Sequence, residues 1–199
     1  VPEPHIITPN DKSWSQIALP WMSFGYGINF TPLDILTFYN AVANNGYLVA
    51  PYLGHALREG SKVTPIHRDY IPYTICSEST LQKVNTLLQE VVQYGTAKAL
   101  SYLPFSVSGK TGTAVKNYNQ DLDYKNKQYQ SSFVGFFPSE KPQYSCIVLI
   151  DNPNKKIGYY GSEVASPVFG EIANKIYIKN GLQWHVEYGK NENLLLKDH

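Results

Sequence analysis

Net charge is almost absent from this chain. Its 17 Lys and Arg face 16 Asp and Glu, which leaves +1, so nothing electrostatic points to nucleic acid or to an acidic membrane surface. Cysteine is nearly missing as well. Cys76 and Cys146 are the two present, far apart and without Cys-x-x-Cys spacing, which leaves no disulfide framework and no zinc cluster. Cys146 lies inside an apolar run, where a buried, inert thiol is expected. No apolar run approaches the ~20 residues of a membrane span, and the chain opens on Val1 with no leader-peptide pattern. His5, His55, His67, His185 and His199 are scattered with no metal-ligand spacing, so neither a metal nor a cofactor is expected. Gly25-x-Gly27 lacks the third glycine and the preceding strand of a dinucleotide site. Asp121 and Asp123 stand beside Lys125 and Lys127 in a polar stretch, which reads as a solvated loop rather than a paired acid and base.

What is present suits a folded domain. The chain has 199 residues, 43% hydrophobic and 17% charged, enough for one sizeable core. Residues 1–23 are rich in proline and read as an extended loop anchored by Trp14 and Trp21. Thr31 followed by Pro32 is a helix start, and Asn45-Gly46 is its left-handed stop. Leu33, Ile35, Leu36, Phe38, Tyr39, Ala41 and Val42 make that helix apolar nearly all round, which predicts a buried position. Extended segments follow over Tyr47 to Leu57 and around Val63, with a turn at 58–61 between them. Ser77 can cap a second helix, whose apolar stripe is Leu81, Val84, Leu87, Leu88, Val91 and Val92; Gly95 ends it.

Further on, strands are predicted around 108–114, over Ser131 to Phe137 and over Tyr144 to Ile150, the last apolar enough to be buried on both faces. Residues 116–130 are polar and read as an exposed loop of functional length. A final helix carries Val164, Ala165, Val168, Phe169, Ile172, Ala173, Ile176 and Tyr177, with Pro167 harmless in its first turn. The tail over about 181–199 is weakly patterned and is expected to pack loosely. The fold class is α+β: an antiparallel sheet built from hairpins and covered by helices.

Ser108-Gly109-Lys110-Thr111-Gly112-Thr113-Ala114 is the most informative stretch. Strand interiors avoid glycine, so two glycines around Lys-Thr imply that something must approach this backbone closely. Lys-Thr-Gly is a motif of penicillin-binding proteins and serine β-lactamases. Its context is Ser23-Phe24-Gly25-Tyr26-Gly27, Thr31-Pro32-Leu33, Ala43-Asn44-Asn45-Gly46, Gly95-Thr96-Ala97, Ser132-Phe133-Val134-Gly135-Phe136, and Tyr160-Gly161 with Ala165-Ser166-Pro167-Val168-Phe169. In that order the chain, from about Trp14 to Tyr177, resembles the C-terminal half of the transpeptidase domain of a class B penicillin-binding protein, most of all the septal, cell-division type.

The resemblance implies a D,D-transpeptidase that cross-links peptidoglycan stem peptides through an acyl-serine and is acylated by β-lactams. It implies Lys110 and Thr113 as catalytic residues. Thr111, Gly112 and Thr113 would bind substrate, and Tyr159 and Tyr160 would line the cleft. The implied partners are the stem peptide or its lipid-linked precursor, β-lactam antibiotics, the rest of the same protein and cell-division membrane proteins. The implied place is the periplasmic face of the inner membrane, held by an anchor outside this chain. One departure matters: no Ser here has Lys three residues on or Asn two residues on, so the nucleophile motif and the middle motif of the family are both missing. The whole chain therefore reads as the C-terminal portion of one transpeptidase domain, inactive alone. A non-catalytic β-lactam sensor of the same fold, a D,D-carboxypeptidase and a β-lactamase are the alternatives, since one fold hosts several functions.

Overall fold

The computed structural model describes residues 5–54, 56–66, 70–116 and 126–195, and the chain divides into two compact units, Val1–Leu81 and Gln82–His199. In the first unit β1 (His5–Ile6) precedes a single helical turn, α1 (Ala18–Met22), where the sequence reading has only extended loop. A single turn is too short to show a period. Trp21 organises it instead, with its ring 6.1 Å from Phe24 and 5.3 Å from Tyr26. β2 (Ile28–Asn29) then returns antiparallel to β1.

Helix α2 (Pro32–Ala43) begins as its sequence dictates. The Asp34 N–H donates to the Thr31 hydroxyl at 3.2 Å, and the Thr31 N–H donates back to the Asp34 carboxylate at 2.9 Å, a reciprocal cap that satisfies two orphan donors. The Thr31 hydroxyl, and after it the Thr31 N–H, hold the Asp34 carboxyl below the usual carboxylate range. The helix stops where expected: Asn45 and Gly46 take φ of 53° and 86°, and the Gly46 N–H bonds the Ala41 carbonyl at 2.8 Å. The expected all-round burial is not found. Ala41 and Val42 are buried, but Leu33 is 46% and Phe38 54% exposed, so α2 has an inner and an outer side.

After β3 (Tyr47–Val49), β4 (Ala56–Glu59) and β5 (Lys62–Pro65) form a hairpin across Gly60, at φ 61°. β6 (Tyr70–Thr74) pairs antiparallel with β3. The sequence gives little sign of β6, because Pro72 argues against a strand unless it lies at an edge; in a two-stranded sheet both strands are edges.

Helix α3 (Glu78–Gln93) leads the chain from the first unit into the second, and the Thr80 N–H bonds the Ser77 hydroxyl at 3.3 Å as its cap. Leu81, Leu88 and Val92 are buried along its stripe, whereas Leu87 is 61% exposed. One residue is 100° of helix, and Leu87 falls just off the buried face. A 3₁₀ turn at Lys98–Leu100 follows.

β7 (Ser108–Val115), β8 (Tyr129–Phe137) and β9 (Tyr144–Asp151) form one antiparallel sheet in that order, as the hairpin reading predicts. β8 starts two residues earlier than expected, and the Lys116 N–H extends the ladder to the Gln128 carbonyl at 2.9 Å; residues 117–125 of the polar loop lie outside the described residues. β9 is not buried on both faces: Val148 alone is buried, and the other residues are half-buried or, for Asp151, exposed. Among the described residues it is an edge strand, and Tyr144, Cys146, Val148 and Ile150 are the members of its run that pack on the core.

The expected final helix is two, α4 (Gly161–Val164) and α5 (Ser166–Leu195). Pro167 has no N–H and its ring crowds the carbonyl four residues back, at Glu163, which accounts for the break. The α5 backbone runs on past Gly181 to Leu195, because glycine costs about 1 kcal/mol inside a helix without ending it. Expected loose packing of the tail concerns side chains outside the described residues. Phe133, Phe137 and Val148 from the sheet meet Ala165, between the two helices, and Phe169 and Ala173 of α5, and Val92, Leu100, Leu103 and Val107 close the same core. The Phe133 and Phe169 rings meet edge to face at 4.7 Å.

Candidate active site on an edge strand

β7 is the outer strand of its sheet, so one row of its backbone groups has no strand partner among the described residues. Gly109 and Gly135 stand opposite each other in the β7–β8 register. A Cβ on Gly109 would come within 2.6 Å of the Phe133 ring and of the Val134 carbonyl. Their bareness lets Phe133 lie flat under the strand, and the Phe133–Phe169 contact then seats β7 on the core. At its start the buried Ser108 hydroxyl donates to Ser139 at 2.9 Å, and the Ser139 N–H donates to the Ser106 hydroxyl at 2.9 Å. The strand is therefore fixed from beneath and at one end.

On this strand Lys110 and Thr113 are exposed and Thr111 and Gly112 half-buried. The Lys110 ammonium donates to the Thr111 carbonyl at 3.0 Å. The two threonine hydroxyls are each met by a different element. Thr96, in the turn after α3, shares a hydrogen bond with Thr111 at 2.8 Å. Thr113 accepts the main-chain N–H of Gly161 at 3.0 Å. Gly161 has to be glycine, because a Cβ there would fall 2.4 Å from the Ser132 carbonyl oxygen and 2.6 Å from that of Gly112. Helix α4 thus starts in direct contact with the Lys-Thr-Gly backbone.

That contact brings Tyr159 and Tyr160 beside the strand. Their rings are 4.4 Å apart with hydroxyls at 3.1 Å, and Tyr129 stacks behind Tyr159, also at 4.4 Å. Tyr160 remains 49% exposed. The Glu163 carboxylate accepts the N–H of Tyr159 at 3.0 Å and of Tyr160 at 3.2 Å, and the Ser131 hydroxyl donates to the Tyr159 carbonyl. The tyrosine backbone is held from both sides.

All six residues singled out in the sequence are accordingly neighbours along one strand and the helix start docked on it. Thr96, Gly161, Glu163 and Ser131 were not singled out as site residues. Glu163 has a readable signal, an acid three residues into a helix, where it can reach back to free N–H groups. Ser131 has none, because its role depends on β8 facing Tyr159. The remaining candidates lie elsewhere. Cys146, expected to be buried, is a half-buried free thiol, and its partial burial still pushes it up. His55, His67, His199, Asp121, Asp123 and Lys125 lie outside the described residues. Among the described residues no three His, Cys, Asp or Glu side chains gather as a metal site would require.

Chemically, an ammonium and two oriented hydroxyls along an open strand edge can hold a carboxylate and pair with an extended peptide. The profile of the penicillin binding protein transpeptidase domain matches residues 6–174. The chain is 32% identical over 177 residues to the peptidoglycan D,D-transpeptidase FtsI of Buchnera aphidicola, covering 88% of this chain and 29% of that protein. It is 31% identical over 156 residues to the stage V sporulation protein D of Bacillus subtilis, covering 75% and 23%. It thus spans between 23% and 29% of these relatives' length. Among solved structures it resembles penicillin-binding protein 3 of Mycobacterium tuberculosis in complex with aztreonam, with TM-score 0.72, 26% identity, and 88% and 41% coverage. It also resembles the transpeptidase domain of Burkholderia pseudomallei penicillin-binding protein 3, with TM-score 0.60, 28% identity, and 85% and 48% coverage. With the profile running from β1 into α5 and the Lys-Thr-Gly strand at the edge of its sheet, the chain belongs to the transpeptidase domain family of penicillin-binding proteins.

Proposed function

We propose that the full-length protein is a peptidoglycan D,D-transpeptidase, and that residues 1–199 are the C-terminal portion of its transpeptidase domain. The observation that carries this is the open edge strand Lys110-Thr111-Gly112-Thr113 with both hydroxyls held by neighbouring elements. In this reading a serine upstream attacks the stem-peptide carbonyl, the terminal residue leaves, and an amine of a second stem resolves the acyl-serine. Lys110 supplies positive charge to the substrate carboxylate and to the serine's surroundings. Thr111 and Thr113 hydrogen-bond that carboxylate, and the stem lies along the strand past Gly112. The Thr113 N–H is one donor to the oxyanion, where a single preorganised donor is worth about 10²–10³ in rate.

Tyr159 and Tyr160 form an aromatic wall beside the bound chain, suited to packing against the side chains of β-lactams. The name of the Buchnera relative and the aztreonam complex of the Mycobacterium protein support this chemistry. The place of action is the periplasmic side of the bacterial inner membrane, reached through an anchor outside this chain. There the protein meets the stem peptide or its lipid-linked precursor together with membrane proteins of cell division. The test is acylation of the full-length protein by a fluorescent penicillin, read by gel and intact mass, alongside Lys110→Ala. A single adduct is expected on the wild type, with acylation slowed at least about a hundredfold by the substitution and the unfolding midpoint retained. A folded wild-type protein that takes no label overturns the reading.

A further inference from the structure

A threonine hydroxyl on an exposed strand can turn among its rotamers and point its hydrogen several ways. To bind a carboxylate it must present that hydrogen outward, and a neighbour that donates to the oxygen biases the hydroxyl that way. Thr113 has such a neighbour in the Gly161 N–H at 3.0 Å, an obligate donor. Thr111 has the hydroxyl of Thr96 at 2.8 Å, from fifteen residues earlier in the chain. Thr96 is itself on a fixed support. The Ala97 N–H bonds the Val91 carbonyl at 3.0 Å, the Leu100 N–H bonds the Ala97 carbonyl at 2.9 Å, and Ala97 and Leu100 belong to the buried core. A hydrogen bond between two exposed hydroxyls adds little to stability over their bonds to water. Its use is orientation.

We propose that Thr96 is a positioning residue that donates its hydroxyl hydrogen to Thr111, fixing Thr111 as a hydrogen-bond donor to the carboxylate of the bound β-lactam or stem peptide. The inference rests on the transpeptidase reading above and adds to it a residue outside the Lys-Thr-Gly strand. The two strand hydroxyls are thus set by two different devices, a helix-start amide for Thr113 and a second hydroxyl for Thr111. Only the second can be removed by one side-chain change that leaves the strand intact.

The experiment uses the full-length protein with Thr96→Val, Thr96→Ala, Thr96→Ser, Thr111→Val and the Thr96→Val/Thr111→Val double variant. Second-order acylation rates are measured with benzylpenicillin and with its methyl ester, and unfolding midpoints alongside. Either hydroxyl-less variant is expected to slow acylation by the free acid about tenfold, with little change for the ester and little change in midpoint. Thr96→Ser restores the hydroxyl and the rate. In the Thr111→Val background, removing the Thr96 hydroxyl has no further effect, since coupled residues are non-additive. Equal losses on acid and ester, additive losses in the double variant, or wild-type rates in both Val and Ala variants would each overturn the proposal while the wild type still acylates. A wild type that does not acylate overturns the transpeptidase reading and this one together.

Discussion

The main-chain N–H of Gly161 reaches the hydroxyl of Thr113 at 3.0 Å across 48 residues of sequence. The bond joins the first residue of a covering helix to the strand that carries the Lys-Thr-Gly motif, at a spot where no side chain separates the two backbones. Strand and helix start are one unit mechanically. Displacing either moves the Thr113 hydroxyl and the tyrosines that precede the helix.

Gly161→Ala tests that unit. The added methyl would meet the carbonyl oxygens of Ser132 and Gly112, both backbone atoms, at 2.4 and 2.6 Å, so α4 must lift away from β7. The expected cost is about 1–3 kcal/mol of stability, as for other overpacked sites, together with slower acylation of the full-length protein. Thermal unfolding and acylation kinetics read the two effects. An unchanged midpoint would mean that helix and strand separate freely.

The tyrosine wall gives a second test. Tyr160→Ala is expected to slow acylation by β-lactams with bulky side chains about three- to tenfold more than by small ones, the scale of one lost aromatic contact. Glu163→Gln weakens both bonds to the Tyr159 and Tyr160 N–H groups, and hydrogen exchange at those two amides should quicken. Equal losses for bulky and small drugs would assign the pair to packing alone.

The isolated chain is expected to form no covalent adduct with penicillin. Acylation needs a serine with its base in reach, and no Ser here begins Ser-x-x-Lys. Intact mass after incubation decides the point. An adduct mapped to any serine of this chain would place the nucleophile within it.

The cap of α2 carries a pH dependence. Bonds from the Thr31 hydroxyl and N–H lower the Asp34 carboxyl in the folded state, so folding favours its charged form. The stabilisation is fully present above the unfolded value, about pH 4, and is lost as pH falls through the lower folded value. Asp34→Asn should therefore unfold more easily than wild type at pH 7, with the difference closing as the solution is acidified well below pH 4. A difference that persists in acid would show that the charge plays no part in the cap.

How much of this was readable beforehand depends on the range of the interaction. Thr31-Pro32 and Asn45-Gly46 act within a turn of themselves, so both ends of α2 stand where the sequence puts them. The β7, β8 and β9 hairpins follow from apolar runs between turn residues. What failed depends on neighbours. Ile147 and Leu149 look like interior residues, but among the described residues their strand is the edge of its sheet and they are only half-buried. Leu33 and Phe38 look buried because the whole helix is apolar, yet burial needs a covering surface that local pattern does not encode. At the site, Lys110 to Thr113 were legible as a motif. Thr96 and Gly161 act on that motif from 15 residues before and 48 residues after, and no spacing rule links them to it.

The open edge of β7 has a further consequence. A strand whose outer row has no strand partner among the described residues can pair with an extended chain, including another copy of itself, and edge strands are commonly protected by a proline, a bulge or a charge. Proline or a bulge would spoil β7 for peptide pairing, and its register with β8 runs unbroken from Ser108 to Val115. The charge this strand carries instead is Lys110, exposed along it. Two β7 edges zipped together would bring two ammonium groups into one seam, where like charges repel. In the transpeptidase reading proposed above, the lysine that meets an anionic guest would also turn away its own kind.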